Sequence, residues 1–198
     1  MIAFLQGKVA GIKENALLLE VNGVGFQILM PLSALQEIKS GETLLIHTYL
    51  AHKEEAMLLY GFLSEKEKSL FTKVINVSGV GPKTGLAILS VLSVERFCQA
   101  IIEEDVKTIS SVPGIGLKIA QRLILELQTK IKKEMEISPF YQRIRHSTQN
   151  NSDAVAALVA LGYQQTMASK AVNEVESNSP KLNLQDLIRE SLKLLMKQ

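Results

Sequence analysis

The sequence predicts a multidomain chain, β first and all-α after it: a small closed barrel, a tandem helix–hairpin–helix domain and a small three-helix bundle. Three observations carry this. Strand-length apolar runs punctuated by turn residues occupy residues 1–63; a helix-start signature stands at Ser64; and one glycine-bearing segment occurs twice, at an offset of 35 residues.

In the first 63 residues, Ala16-Leu17-Leu18-Leu19-Glu20-Val21 is a strand-length run, and Asn22-Gly23 supplies residues that tolerate positive φ. Val24-Gly25-Phe26-Gln27-Ile28-Leu29-Met30 is the return strand of that hairpin. Thr43 to Ala51 and Ala56 to Phe62 form a second pair around the polar tip His52-Lys53-Glu54-Glu55. With an opening strand near Ile2–Ile12 there are five short strands, and closing them into a barrel of the OB type removes the sheet's edges.

Ser64-Glu65-Lys66-Glu67 fits a capping box, with Ser64 at N-cap and Glu67 at N3, so a helix should follow. To about Ile137 the pattern is one of short helices broken by glycine turns. Within it Val77-Ser78-Gly79-Val80-Gly81-Pro82-Lys83-Thr84 aligns with Val112-Pro113-Gly114-Ile115-Gly116-Leu117-Lys118-Ile119. Each copy reads as helix, tight hairpin, helix.

Glycine passes through positive φ and lets a ligand approach the main chain closely. The helix that follows begins with unpaired N–H groups at its positive dipole end, and Pro82 suits a first helical position. A phosphate fits on such amides, with Lys83 or Lys118 nearby as a point charge. One G-x-G between helices is an ordinary turn; two copies with lysine in register point to phosphate binding. Paired sites of this kind hold backbones without reading bases.

Two lookalikes fail or remain as rivals. A P-loop needs glycine immediately before its lysine, and Pro82 stands there. Pro113-Gly114-Ile115-Gly116 also resembles the hairpin of base-excision glycosylases, but Lys130-Ile131-Lys132-Lys133-Glu134 offers no obvious buried aspartate. A helix-hairpin-helix glycosylase or nuclease is kept as the alternative, separable by testing for base release or strand cleavage. No nucleophile–base arrangement is evident, so no catalytic residue is assigned.

Residues 138–152 have little apolar period and read as a flexible linker. Beyond them Asp153–Leu161 forms a helix ending at Gly162, a second helix runs around Gln165–Glu176, and Asn183 caps a third carrying Leu184, Leu187, Ile188, Leu192 and Leu195. Leu158 and Leu161 are expected in the core of this bundle.

Composition narrows the function classes. The chain has 198 residues, 46% hydrophobic, 22 Lys+Arg against 20 Asp+Glu, and a net charge of +2. Residues 1–63 carry 4 basic and 6 acidic side chains, and residues 64–137 carry 11 and 9. A polyanion must therefore be held by local geometry rather than bulk charge. One cysteine, Cys98, excludes an internal disulfide framework, and three scattered histidines argue against a zinc site; no metal or cofactor is expected. The start, Met1-Ile2-Ala3-Phe4, lacks a signal peptide's features and no run is long enough to span a bilayer, so a cytoplasmic protein without a membrane role is expected.

In order and spacing, Met1-Ile2, Val21-Asn22-Gly23-Val24-Gly25-Phe26, Leu58-Leu59-Tyr60-Gly61-Phe62, the two hairpins and Ala154-Val155-Ala156-Ala157-Leu158-Val159-Ala160-Leu161-Gly162-Tyr163 resemble the RuvA family along the whole chain. Members of that family are Holliday-junction-binding subunits of bacterial branch-migration complexes. The resemblance implies an OB-fold domain over 1–63, a double helix-hairpin-helix domain over 64–137, and a mobile UBA-like bundle over 153–198 that docks on RuvB, a hexameric AAA+ ATPase. It implies a homotetramer holding an open four-way junction, two tetramers being able to sandwich the DNA, and the RuvC resolvase as a further partner. Gly79, Val80, Gly81, Lys83, Gly114, Ile115, Gly116, Lys118 and Arg122 are the implied DNA contacts. Glu54 and Glu55 occupy the place of the family's acidic pin, where strands exchange. Some relatives carry lysine at the position of Leu117, which removes one phosphate contact here. Tyr163 is a candidate for contact with the motor.

Overall fold

The computed structural model describes residues 2–52, 56–137, 139–178 and 182–196, with side chains except over 135–149, 177 and 178. The chain divides into two compact units, 1–131 and 132–198.

The first unit opens with β1 (Phe4–Lys13), β2 (Ala16–Val21) and β3 (Val24–Leu29), then α1 (Leu32–Glu37), β4 (Thr43–His52) and β5 (Met57–Phe62). The order around the barrel is β1-β2-β3-β5-β4, closed by antiparallel pairing of β4 with β1. The Asn22-Gly23 turn has φ of 50° and 87°, the geometry a two-residue hairpin needs. An irregularity between Val9 and Gly11 bends β1, whose first half pairs with β4 and whose second half pairs with β2. β3 and β5 pair in parallel, Ile28 opposite Leu59. Alternation then sends Leu17, Leu19, Ile28 and Ile46 inward, all fully buried, while Leu18 and Glu20 face out.

Helices follow: α2 (Glu65–Ile75), α3 (Pro82–Val91), α4 (Val94–Ile102), α5 (Val106–Ser110) and α6 (Leu117–Ile137). The capping box at α2 is present on both sides: Glu67 N–H donates to Ser64 Oγ at 3.3 Å, and Ser64 N–H donates to Glu67 Oε2 at 2.9 Å. The barrel and the helices up to Ile131 fall within the first compact unit. Phe71 of α2 is fully buried against Tyr49, Tyr60 and Phe62 of β4 and β5, with centroid separations of 5.5, 5.4 and 4.8 Å. Burial, and then Tyr49 beside it, push the Tyr60 phenol upward from its usual pKa. His47 Nδ1 lies 2.8 Å from Glu65 Oε2 at the same seam. On another side α1, which sequence reading left out, docks on α3: Leu32 N–H donates to Ser90 Oγ and Ser33 Oγ donates to Leu89 O, both at 2.9 Å.

The second unit contains α7 (Pro139–Ala160), α8 (Gln165–Asn178) and α9 (Leu184–Leu195) around Ala154, Leu158, Val172, Leu187 and Leu195. Residues 139–152, expected as a linker, are helical and extend α7 toward its N-terminus. The stretch lacks glycine, and its one proline stands at the first helical position, where it obstructs nothing. Leu161, expected in the core, is 61% exposed, because the chain leaves the helix at Ala160 and turns at Gly162. Tyr163 is half-buried and packs against the bundle core, its N–H donating to Leu158 O at 3.2 Å. Asn183 caps α9 as expected, accepting from Asp186 N–H at 2.9 Å. Among the described residues no single helix is long and apolar enough to cross a membrane.

Candidate nucleic-acid interface

The repeat found in the sequence is reproduced bond for bond. In the first hairpin Val80 N–H donates to Val77 O at 3.0 Å, and Gly85 N–H donates to Gly81 O at 3.0 Å. In the second, Ile115 N–H donates to Val112 O and Ala120 N–H donates to Gly116 O, again at 3.0 Å. Gly79 and Gly114 take φ of 89° and 86°, a region that costs other residues about 1–2 kcal/mol. Burial repeats as well: Val77 and Val112 are buried, Ser78 and Pro113 exposed, Val80 and Ile115 buried.

Val80 and Ile115, expected among the contacts, turn their side chains inward. Their side chains anchor the turns, and their amides are already donated within the hairpins. Any anion is left to the glycine amides and to the helix starts behind them. Gly81 and Gly116 need no positive φ, and a Cβ at either would meet nothing within 4 Å. The described packing makes no demand for glycine at these two places.

The helix ends behind the hairpins lack a side-chain cap, as does that of α1. Ser64, Ser93, Asp105 and Asn183 cap α2, α4, α5 and α9 with their side chains. In contrast α3 opens on Gly81 with no side-chain cap, and α6 follows Gly116, which has no side chain to offer. Neither α3 nor α6 carries an acidic residue in its first turn, so no carboxylate of its own occupies the positive end. Lys83 and Lys118 are exposed one residue inside each helix. The copies differ at one point: Pro82 has no N–H, whereas Leu117, 65% exposed, presents one.

Arg122 sits one turn beyond Lys118 and is half exposed. Its Nη1 donates to Ser78 O at a long 3.4 Å, reaching from the second hairpin's helix to the turn of the first. Its Nε lies 3.3 Å from Glu126 Oε1. Neither partner was singled out from the sequence; the i,i+4 spacing of Arg122 and Glu126 was a signal for the pair, but a main-chain acceptor 44 residues away leaves none.

Behind the second hairpin, Asp105 caps the short α5. Burial tends to raise its pKa, but hydrogen bonds from Thr108 and the charge of Arg96 outweigh it and hold the carboxyl below its usual value. Glu54 and Glu55 lie outside the described residues. Among the described residues no group of three or more His, Cys, Asp or Glu is placed to hold a metal ion.

Comparison with known proteins covers the chain in three parts. Residues 1–61 match the family model for the RuvA N terminal domain, 71–129 that for a SAM-like helix-hairpin-helix tandem, and 149–196 that for the RuvA C-terminal domain. A protein of Cytophaga hutchinsonii described as "Holliday junction branch migration complex subunit RuvA" is 39% identical over 198 residues, covering 98% of this chain and all of the relative. Proteins of the same description from Vibrio vulnificus and Acetivibrio thermocellus are 39% and 38% identical, over 99% and 98% of this chain and 100% and 98% of theirs. With its barrel, twin hairpins and terminal bundle each matched in order, and relatives aligned from end to end, the chain belongs to the RuvA family.

Proposed function

We propose that this protein binds four-way DNA junctions by their sugar–phosphate backbones, without reading base sequence, as the non-catalytic subunit that couples the RuvB ATPase to branch migration in recombination and repair. The observation that carries the reading is the pair of uncapped helix N-termini behind Gly81 and Gly116, each with a lysine at hand. A phosphate oxygen on such amides gains charge-assisted hydrogen bonds at the positive end of the helix dipole. Lys83 and Lys118 add point charge; Gly79 and Gly114 set the turns. Few contacts per subunit suffice because a homotetramer multiplies them, and two tetramers on one junction would do so again. This accounts for a net charge of only +2.

Glu54 and Glu55 form the acidic pin at the crossover, where repulsion from phosphates disfavours continuous duplex. The C-terminal bundle carries the contact with RuvB, and Val159, Leu161, Met167 and Met196 are exposed apolar side chains on it. RuvC is a further partner on the same junction. Work on chromosomal DNA in a bacterium puts the protein in the cytoplasm. Membership of the RuvA family sets aside the glycosylase and nuclease reading.

The test is junction binding by Gly81→Val and Gly116→Val in the full chain. Both sites have open space and ordinary φ, so the fold should survive. Loss of affinity for a synthetic four-way junction is expected; unchanged affinity would remove the hairpins from the interface.

A further inference from the structure

We propose that Gln128 and Arg96 are positioning residues for the second hairpin: they brace the joint between α4 and α5, and so the direction from which the chain enters Gly114 and Gly116. This rests on the reading that the hairpins hold phosphates. The two hairpins share one turn geometry but are entered from different supports. The first is entered from α2, 11 residues long, whose Leu70, Phe71 and Val74 are buried, Phe71 among the rings of the barrel. The second is entered from α5, 5 residues long, with Ile109 buried. So short a helix closes little more than one turn and takes its direction from whatever holds its ends.

The joint has no slack, because one residue ends α4 and starts α5. Asp105 N–H donates to Ala100 O at 2.9 Å, closing α4, while its carboxylate accepts from Thr108 N–H at 3.0 Å, capping α5. The angle between the two helices is therefore set at Glu104, which takes φ of 57°, the left-handed conformation that such helix ends usually give to glycine. Gln128 of α6 holds that residue: its Nε2 donates to Glu104 Oε1 at 3.0 Å and, at a long 3.5 Å, to Ile102 O. Arg96 of α4 reaches across the joint, Nη2 donating to Asp105 Oδ2 at 3.3 Å and to Thr108 Oγ1 at 3.1 Å. The brace thus ties α5 to the helix before it and to α6, the helix that leaves the same hairpin. At the offset of 35 the counterparts of Glu104 and Asp105 are Ser69 and Leu70, inside the unbroken α2. The first hairpin has no joint to brace; the second does.

The experiment titrates the full chain against a synthetic four-way junction at low salt, where weakened variants still bind, with thermal unfolding recorded for each variant. Gln128 is half-buried and uncharged, so its truncation should leave the fold intact. Gln128→Ala should weaken binding about fivefold, the scale of coupling through packed contacts. That loss should persist in a Gly81→Val background and vanish in a Gly116→Val background, where no working second site is left to misdirect. Arg96→Ala should follow the same pattern. Glu104→Gly adopts the left-handed conformation freely, so adding Gln128→Ala to it should cost nothing further. The proposal is overturned if Gln128→Ala binds like the parent, if its loss is equal in both glycine backgrounds, as general loosening of the fold would give, or if the loss survives in Glu104→Gly. If Gly81→Val and Gly116→Val both bind like the parent, the hairpins do not hold phosphate and the positioning role falls with that reading. If those two variants lose binding while Gln128→Ala does not, the positioning role alone falls.

Discussion

The ring of Phe71 lies 4.8 Å from the ring of Phe62, seating the first helix of the hairpin region on the last strand of the barrel. Both are fully buried, and Tyr49 and Tyr60 complete the cluster. Truncating Phe71 removes packing from two elements at once. Phe71→Ala should destabilise the first unit by roughly 3–5 kcal/mol. Urea unfolding followed by tyrosine fluorescence measures this directly, since the chain has no tryptophan and two of its 4 tyrosines line the cluster.

The glycines of the hairpins separate into two kinds. Gly79→Ala and Gly114→Ala force a Cβ into positive φ and should each cost about 1–2 kcal/mol of stability. Gly81→Ala and Gly116→Ala should change stability by less than about 0.5 kcal/mol, as surface substitutions do. Thermal unfolding of the four variants distinguishes the kinds; equal losses at all four sites would contradict the assignment.

Asp105 gives the fold an acid-sensitive joint. Burial pulls its pKa upward, while Thr108 and Arg96 pull it below the usual 3.8, and the latter prevail. A carboxyl depressed on folding contributes stability that is complete above its unfolded value and disappears as pH falls through the folded one. Stability should therefore decline below about pH 4. Asp105→Asn, which preserves a capping oxygen, should flatten that part of the pH profile. An unaltered profile in the variant would show that the acid sensitivity lies elsewhere.

The acidic tip is tested by charge alone. Changing Glu54 and Glu55 together to glutamine should reduce the preference for junction over linear duplex by about five- to tenfold, on the basis of roughly 1 kcal/mol of repulsion per close charge pair. Competition between the two DNAs reads that ratio. If it does not move, the carboxylates play no part in selecting the crossing.

Much of this was legible before any coordinates. Alternation marked the strands, Asn22-Gly23 marked the hairpin, Ser64 and Asn183 marked helix starts, and the offset of 35 marked the twin turns. All of these are local signals, which a one-dimensional string can carry. What escaped reading was stabilised from elsewhere. Helix α1 follows Pro31, has no side-chain cap and has no acidic first turn, so nothing nearby announces it; Ser90 and Leu89 hold it from a distance in sequence. Residues 139–152 lack a strong apolar period and so looked like a tether, yet nothing in them breaks a helix. The partner of Arg122 is a main-chain oxygen, a group every residue possesses, and no spacing rule could single out Ser78.

The strands that bear the acidic tip, β4 and β5, are the same ones whose Tyr49, Tyr60 and Phe62 grip Phe71. No hinge separates the tip's supports from the helix that leads into the first elbow. A load placed on either strand therefore passes to α2 through stacked rings instead of being absorbed in a loop.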